Sequence, residues 1–265
     1  MSWWLLTYVA LGTFSGFIAG LFGVGGGLTI VPLLFMLFAA QGFPVSELMH
    51  LALGTSMATI TITSISSMRA HHKHGAVRWD IVKGMTPGLL LGTLVGSLLT
   101  GFVPTHELAV IFTVIVYIAS FQMVMNFRPK PSRALPGSKG LAAVGTGIGG
   151  VSSLVAAGGG FLSIPYMVLC NVSIHQAVGT SAALGFPIAL AGTIGYTISG
   201  FGAEGLPGMH VGFIYLPALI CVGTMTVMIA PYGAALAHKL PVAKLKRAFG
   251  FFLGLLATKM LFSLL

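Results

Sequence analysis

Residues 21–32 read L-F-G-V-G-G-G-L-T-I-V-P. Five of these positions, 23–27, offer backbone N–H groups and almost no side chains, inside some of the most apolar sequence of the chain. A second run, A-A-G-G-G-F-L-S-I-P, occupies residues 156–165. Consecutive glycines break a helix. A break in apolar surroundings leaves main-chain polar groups that need partners.

Composition identifies the surroundings as a membrane. The 265 residues are 56% hydrophobic and 6% charged, against about 25% charged in soluble domains. Mean hydropathy is +0.99. The acidic residues Glu47, Asp80, Glu107 and Glu204 are too few to coat a water-facing surface, and no long polar stretch marks a separate soluble domain. Trp3 and Trp4 suit an interfacial aromatic belt. With no basic n-region before them, the first apolar segment reads as a retained helix and not a cleaved signal. Cys170 and Cys221 fall in apolar segments and read as free buried thiols.

Apolar runs alternate with short polar breaks, predicting helices near 3–22, 28–40, 47–68, 79–100, 105–126, 140–157, 161–170, 174–199, 210–237 and 242–264. The stretch 127–139, F-R-P-K-P-S-R-A-L-P-G-S-K, is proline-rich and basic and reads as a linker. Two segments are short: 28–40 spans about 20 Å and 161–170 about 15 Å, against a hydrocarbon core of about 30 Å.

The two halves, 1–126 and 140–265, repeat. G-G-G-L-T-I-V-P at 25–32 matches G-G-G-F-L-S-I-P at 158–165, and H-L-A-L-G-T-S at 50–56 matches H-Q-A-V-G-T-S at 175–181. Five segments per half would invert the second half relative to the first. Lys and Arg concentrate in cytoplasmic loops. On the five-segment reading Arg69, Lys73, Arg78, Lys83, Arg128, Lys130, Arg133, Lys139, Lys239, Lys244, Lys246 and Arg247 share one side, leaving Lys259 apart, while Glu47, Glu107 and Glu204 lie opposite. The expectation is an all-α integral membrane protein of two inverted repeats, both termini extracytoplasmic. A re-entrant hairpin after each glycine break has the same parity as two full crossings, so the charges leave that point open.

Inverted repeats with interrupted helices near mid-membrane are the architecture of secondary transporters. A glycine run leading into a helix presents unpaired N–H groups at the positive end of the helix dipole, which suits an anion. The candidate substrate positions are therefore Gly25, Gly26, Gly27, Gly158, Gly159 and Gly160, with hydroxyl donors from Thr29, Ser163, Thr55, Ser56, Thr180 and Ser181. The G-T-S hydroxyls have a competing role in bonding their own backbone or joining helices. Gly88, Gly92 and Gly96 follow the small-xxx-small pattern of close helix packing.

His50 and His175 are repeat-related and sit early in equivalent helices, on opposite faces. Each reads either as a satisfied polar residue or as a gating or proton-coupling group. His71, His72 and His74 read as a solvated loop cluster, with no nearby acid or Cys to complete a metal site. Asp80 and Lys83 are expected to pair at a helix start. Intramembrane carboxylates of the kind used in proton relays are absent from the sequence, as is the ATP-binding pattern G-x-x-x-x-G-K-[ST].

The order G-L-F-G-V-G-G-G-L-T-I-V-P, H-x-A-x-G-T-S, basic loop, basic linker, G-G-G-F-L-S-I-P, H-x-A-x-G-T-S resembles the sulfite exporter TauE/SafE family of membrane permeases over essentially the whole chain. The resemblance implies a permease for a small sulfur-containing anion such as sulfite or an organosulfonate, with Gly25–Gly27 and Gly158–Gly160 as motif positions. The second motif departs from the first: Ala156 and Ala157 stand where the first has Gly23 and Val24. The expected protein is a non-enzymatic secondary transporter of the cytoplasmic membrane, working by alternating access and coupled to protons or another gradient. No cofactor, metal or nucleic acid is implied. Its partners are the bilayer, the anion and, through spare glycine and alanine faces, a second copy as homodimer. A small-anion channel using the same donors is the alternative. A membrane enzyme or assembly factor is disfavoured by the lack of an acidic cluster or nucleophile–base pair.

Overall fold

The computed structural model describes residues 2–22, 26–125, 131–203, 205–206, 208–237 and 242–263. The helices are α1 (Ser2–Phe22), α2 (Gly27–Ala40), α3 (Leu48–Lys73), α4 (Trp79–Thr100), α5 (Thr105–Val124), α6 (Ser138–Val155), α7 (Gly160–Leu169), α8 (Ile174–Ser199), α9 (Leu216–Ala237) and α10 (Val242–Phe262). A single 3₁₀ turn, Val45–Glu47, precedes α3, and a small hairpin of β1 (His210–Val211) and β2 (Ile214–Tyr215) precedes α9. Among the described residues six helices, α1, α3, α4, α5, α8 and α9, are long and apolar enough to cross a membrane.

The bundle turns its apolar side chains outward. Leu91, Leu99, Ile118, Phe121, Ile220 and Leu255 are exposed, while Thr29, Thr55, Ser56, Ser163, Thr180 and Ser181 are buried. A water-soluble bundle would do the reverse; in lipid, helices associate through close packing and polar contacts. The central pair is α3 and α8, whose spans are 83% and 72% buried.

Among the described residues eight of the ten helices take their principal partners from the other half of the chain: α1 packs on α9, α4 on α6, α3 on α8, and α5 on α10. The short α2 and α7 pack mainly on α3 and α8 of their own halves. Gly12, Gly16 and Gly20 of α1 meet Val222, Thr226 and Ala230 of α9 in ascending order, so this pair runs parallel. Gly84, Gly88 and Gly96 of α4 meet Leu141, Ala142 and Ser153 of α6, also in parallel. In contrast, Met57 of α3 faces Gly192, and Ser64 faces Gly185, so α3 and α8 are antiparallel. Likewise Tyr117 bonds Thr258 while Ser120 bonds the Gly250 carbonyl, which makes α5 and α10 antiparallel. The predicted role of Gly88 in packing holds, since a Cβ there would lie 1.8 Å from the Ala142 carbonyl oxygen.

Three local expectations need correction. Helix α3 continues to Lys73, so His71 and His72 lie in its last turn and not in a loop. Residues 210–215 form the hairpin and not the start of α9, held by the register His210 to Tyr215. Asp80 pairs with Arg78, through Nε–Oδ1 at 2.8 Å and Nη2–Oδ2 at 2.5 Å, and not with Lys83. A guanidinium two residues away offers a bidentate fork that an ammonium cannot match.

Candidate functional site

Both short helices begin on a left-handed glycine. Gly26, before α2, has φ 72° and ψ −13°, and Gly159, before α7, has φ 75° and ψ −6°; neither helix start carries a side-chain cap. Each glycine carbonyl folds over the first turn that follows. Gly26 accepts from Thr29 N at 3.0 Å and Ile30 N at 2.9 Å; Gly159 accepts from Leu162 N at 3.1 Å and Ser163 N at 2.8 Å. The amides before those turns are the unpaired donors that a helix start leaves. Gly25 lies outside the described residues.

The breaks sit at depth and touch. Gly26 lies beside Ser15 and Ala19 of α1. At the other end of α2, Gln41 donates to the Tyr8 hydroxyl near the start of α1. Helix α2, about 21 Å long, thus runs back along only part of α1. Helix α7 does the same beside α6: Gly159 lies near Ile148, and the Leu169 carbonyl accepts from Ser132 N and Arg133 N. A Cβ on Gly27 would fall 1.8 Å from the Ala156 carbonyl oxygen, so the two motifs meet backbone to backbone. Gly160 is buried at the start of α7.

The predicted hydroxyls divide into three uses. Thr29 donates its proton to the Gly26 carbonyl at 2.7 Å, inside its own turn. Thr55 and Thr180 act as clasps. Thr55 Oγ1 accepts from Tyr215 N at 3.0 Å, in the hairpin before α9, and Thr180 Oγ1 accepts from Arg78 N at 3.0 Å, in the connection before α4. The adjacent glycines let those connections approach: a Cβ on Gly54 would lie 2.3 Å from the Phe213 carbonyl oxygen, and one on Gly179 2.7 Å from that of Ala76. Each G-T motif thus holds a connection from the opposite half of the chain. The serines hold no backbone connection of this kind. Ser163 donates to Ser181 Oγ at 3.0 Å, which leaves the Ser181 proton free to donate elsewhere. Ser56 Oγ is buried without a partner.

Thr55→Val leaves the half-buried Tyr215 N–H without its acceptor, and an unpaired buried donor costs about 1–3 kcal/mol. The expected result is a lowered melting temperature for Thr55→Val and a comparable drop for Thr180→Val, since Tyr215 and Arg78 are both half-buried. Equal, wild-type melting of both variants in detergent would contradict the clasp.

A cavity of about 120 Å³ opens between α1, α3, α8 and α9. Its rim includes the exposed Ala70 and Pro231 and half-buried His71, and its floor includes Gly158, Ser64, Ser181 and Thr226, all buried. From His71 to Ile60 along α3 it descends about 16 Å, roughly half the hydrocarbon thickness. Among the described residues the lining carries hydroxyls and one histidine, His71, and no Asp, Glu, Lys or Arg. It is smaller than the roughly 300–1,000 Å³ of pockets for drug-sized ligands. Thr63, Ser64, Ser67 and Thr226 were not picked out in the sequence. Their only signal is the density of hydroxyls in T-I-T-S-I-S-S at 61–67; Thr226 has none.

The mouth lies at the end of the bundle where Arg69, Lys73, Arg78, Lys83, Arg133, Lys139 and Arg247 gather, as the helix directions require; Glu47 and Glu107 lie at the other end. Glu204 is outside the described residues.

The two repeat-related histidines have different surroundings. His50 is buried, with Nε2 3.0 Å from the Thr100 carbonyl, Nδ1 3.3 Å from Thr105 Oγ1 and 3.5 Å from Glu47 Oε2. Its ring stacks on Phe213, centroids 4.9 Å apart. His175 is exposed at the opposite end. His72 accepts from Trp79 Nε1 at 3.2 Å, and His74 Nδ1 lies 2.8 Å from the Ala70 carbonyl. Among the described residues no three His, Cys, Asp or Glu side chains come together. Cys170 is buried and Cys221 half-buried, both as free thiols.

Spans with apolar outer faces, broken helices that meet and a hydroxyl-lined cavity together define a multi-pass membrane transporter. The sulfite exporter TauE/SafE family model matches residues 8–260. The chain belongs to that family, which places it among transporters and not enzymes. It is similar to a probable membrane transporter protein of Haemophilus influenzae, 35% identical over 97% of both chains. It is also similar to the probable membrane transporter protein YdhB of Bacillus subtilis, 28% identical over 88% of this chain and 90% of that one. A third relative is the probable membrane transporter protein MJ0441 of Methanocaldococcus jannaschii, 24% identical over 96% and 94%. Comparison with solved structures returns no significant match.

Proposed function

We propose that the protein is a secondary transporter that carries a small sulfur-containing anion, such as sulfite or an organosulfonate, across the cytoplasmic membrane by alternating access. The observation that carries this reading is the cavity floor. There Gly158 and Ser181 meet at the start of α7, where free amides, the helix dipole and a hydroxyl proton converge with no carboxylate nearby. That set of donors complements an oxyanion and repels no negative charge.

The parallel pairs α1/α9 and α4/α6 and the antiparallel pairs α3/α8 and α5/α10 are what two inverted repeats, 1–126 and 140–265, would produce about a common axis. The basic end is then cytoplasmic, both termini are extracytoplasmic, the linker 127–139 is cytoplasmic, and the cavity faces inward. Purified protein in liposomes should show saturable uptake of labelled sulfite or sulfoacetate with counterflow, and a raised melting temperature in the same anion. Unitary conductance without counterflow would replace the transporter with a channel, and no anion dependence in either assay would remove the reading.

Proton coupling falls on His50, whose ring bridges α3 to the ends of α4 and α5, with His175 as its exposed counterpart. His50→Gln is expected to flatten the pH profile of uptake. A wild-type profile in both His50→Gln and His175→Gln would assign coupling elsewhere.

A further inference from the structure

We propose that Ser56, Thr93 and Ser152 line a second vestibule for the same anion, closed in this structure and opening on the face opposite the cavity mouth. The proposal rests on the inverted-repeat transporter reading above and adds the residues of its other half.

Among the described residues, five buried hydroxyls have no hydrogen-bond partner: those of Ser15, Ser56, Thr93, Ser152 and Ser199. A stranded hydroxyl in an apolar interior is unfavourable and calls for a reason. The repeat supplies one for three of them. Aligning Gly26 with Gly159 lays Ala19 on Ser152. Aligning the G-T-S motifs lays Ser181 on Ser56. Aligning the starts of α4 and α9, both of 22 residues, lays Ala230 on Thr93. Ala19, Ser181 and Ala230 all line the open cavity. The contacts agree with this alignment: Gly96 of α4 abuts the Gly150 carbonyl of α6, and its counterpart Gly233 of α9 abuts the carbonyl of Phe17, the counterpart of Gly150. The orphaned hydroxyls therefore occupy the mirror positions of a substrate pathway.

The same alignment explains why this half is shut. Where the open half has Ala182 and Thr63, the closed half has Met57 and Ile188. A Cβ on Gly192 would lie 2.8 Å from Met57 Sδ, and one on Gly159 2.6 Å from Ile188 Cδ1, so both side chains fill their space. The hydroxyl of Ser152 lies 3.7 Å from that same Cβ position on Gly159, at the start of α7. Withdrawal of Met57 and Ile188 would expose hydroxyls beside an uncapped helix start, the same chemistry as the open cavity floor.

The test uses the full chain with Cys170 and Cys221 replaced by alanine, in membranes, carrying Ser152→Cys or, as an independent reporter, Thr93→Cys. Two impermeant methanethiosulfonates are added to the face bearing Glu47, one carrying a sulfonate and one a trimethylammonium group. The thiolate displaces methanesulfinate and forms a disulfide in either case. Both cysteines are expected to react from that face, about tenfold faster with the sulfonate reagent. Met57→Ala with Ile188→Thr, which copies the open half, should raise the rate about tenfold by shifting the population toward the open state. Protein that still transports the anion while both cysteines stay unreactive from that face overturns the vestibule, and equal rates with the two reagents overturn its anion preference. If the same protein moves no sulfur oxyanion, the transporter reading fails separately, whatever the labelling shows.

Discussion

Gly27→Val is expected to yield no stably folded protein, or one destabilised by about 3 kcal/mol or more, at the upper end of what overpacking costs. The reason is the identity of the obstacle. The new Cβ would fall 1.8 Å from the Ala156 carbonyl oxygen and 2.8 Å from Ile60 Cδ1. A flexible side chain can swing away, but Ala156 is the left-handed residue, φ 43°, that ends α6. Moving it would displace the glycine run that starts α7. The substitution therefore damages both motifs at once, and transport should be lost with stability. Gly147→Ala is the matching control, because nothing lies within 4 Å of its Cβ position. In mid-helix it should leave melting unchanged or slightly raised. A Gly27→Val protein with wild-type melting in detergent would mean that the two breaks do not touch.

The second large effect concerns substrate. Ser181→Ala removes the hydroxyl that accepts from Ser163 and keeps its own proton for the cavity. A lost hydrogen bond to a charged group costs about 1.5–3 kcal/mol, so KM for the anion should rise roughly tenfold to hundredfold. Maximal rate should change far less, while the melting temperature should fall somewhat because the buried Ser163 hydroxyl loses its acceptor. Ser163→Ala, which leaves the Ser181 hydroxyl in place but untethered, should raise KM by a smaller factor. An unchanged KM in Ser181→Ala would take the substrate away from the cavity floor.

These two residues also mark how far the site was legible in the chain. Gly26, Gly27, Gly159 and Gly160 stood out because glycine runs in apolar sequence have few structural uses, and the structure places them where two helices start at mid-depth. The G-T-S motifs stand out equally, yet their threonines accept from the Tyr215 and Arg78 amides and so also clasp the connections of the opposite half. Sequence offers no way to tell a clasp from a ligand, since both need a hydroxyl at the same helix position. Thr63, Ser64 and Thr226 were missed for the converse reason. Hydroxyls are common in membrane helices, and only the gap between α1, α3, α8 and α9 makes these particular ones face open space.

What the residues determined alone is what local chemistry can enforce: membrane burial from the shortage of charge, ten helical segments from the apolar runs, and helix breaks at the glycines. The recurrence of G-G-G-x-x-x-x-P and H-x-A-x-G-T-S in the same order is likewise visible to inspection. Tertiary structure decided which segments meet, since the long helices pair across the halves and no spacing within one half encodes that. It also decided that the two halves are unequal: Ala182 leaves a cavity where Met57 fills one, and His50 is buried where His175 is exposed. Nearly identical motifs acquire different roles when their neighbours differ in volume, and volume across a helix interface is a property of the packed bundle alone.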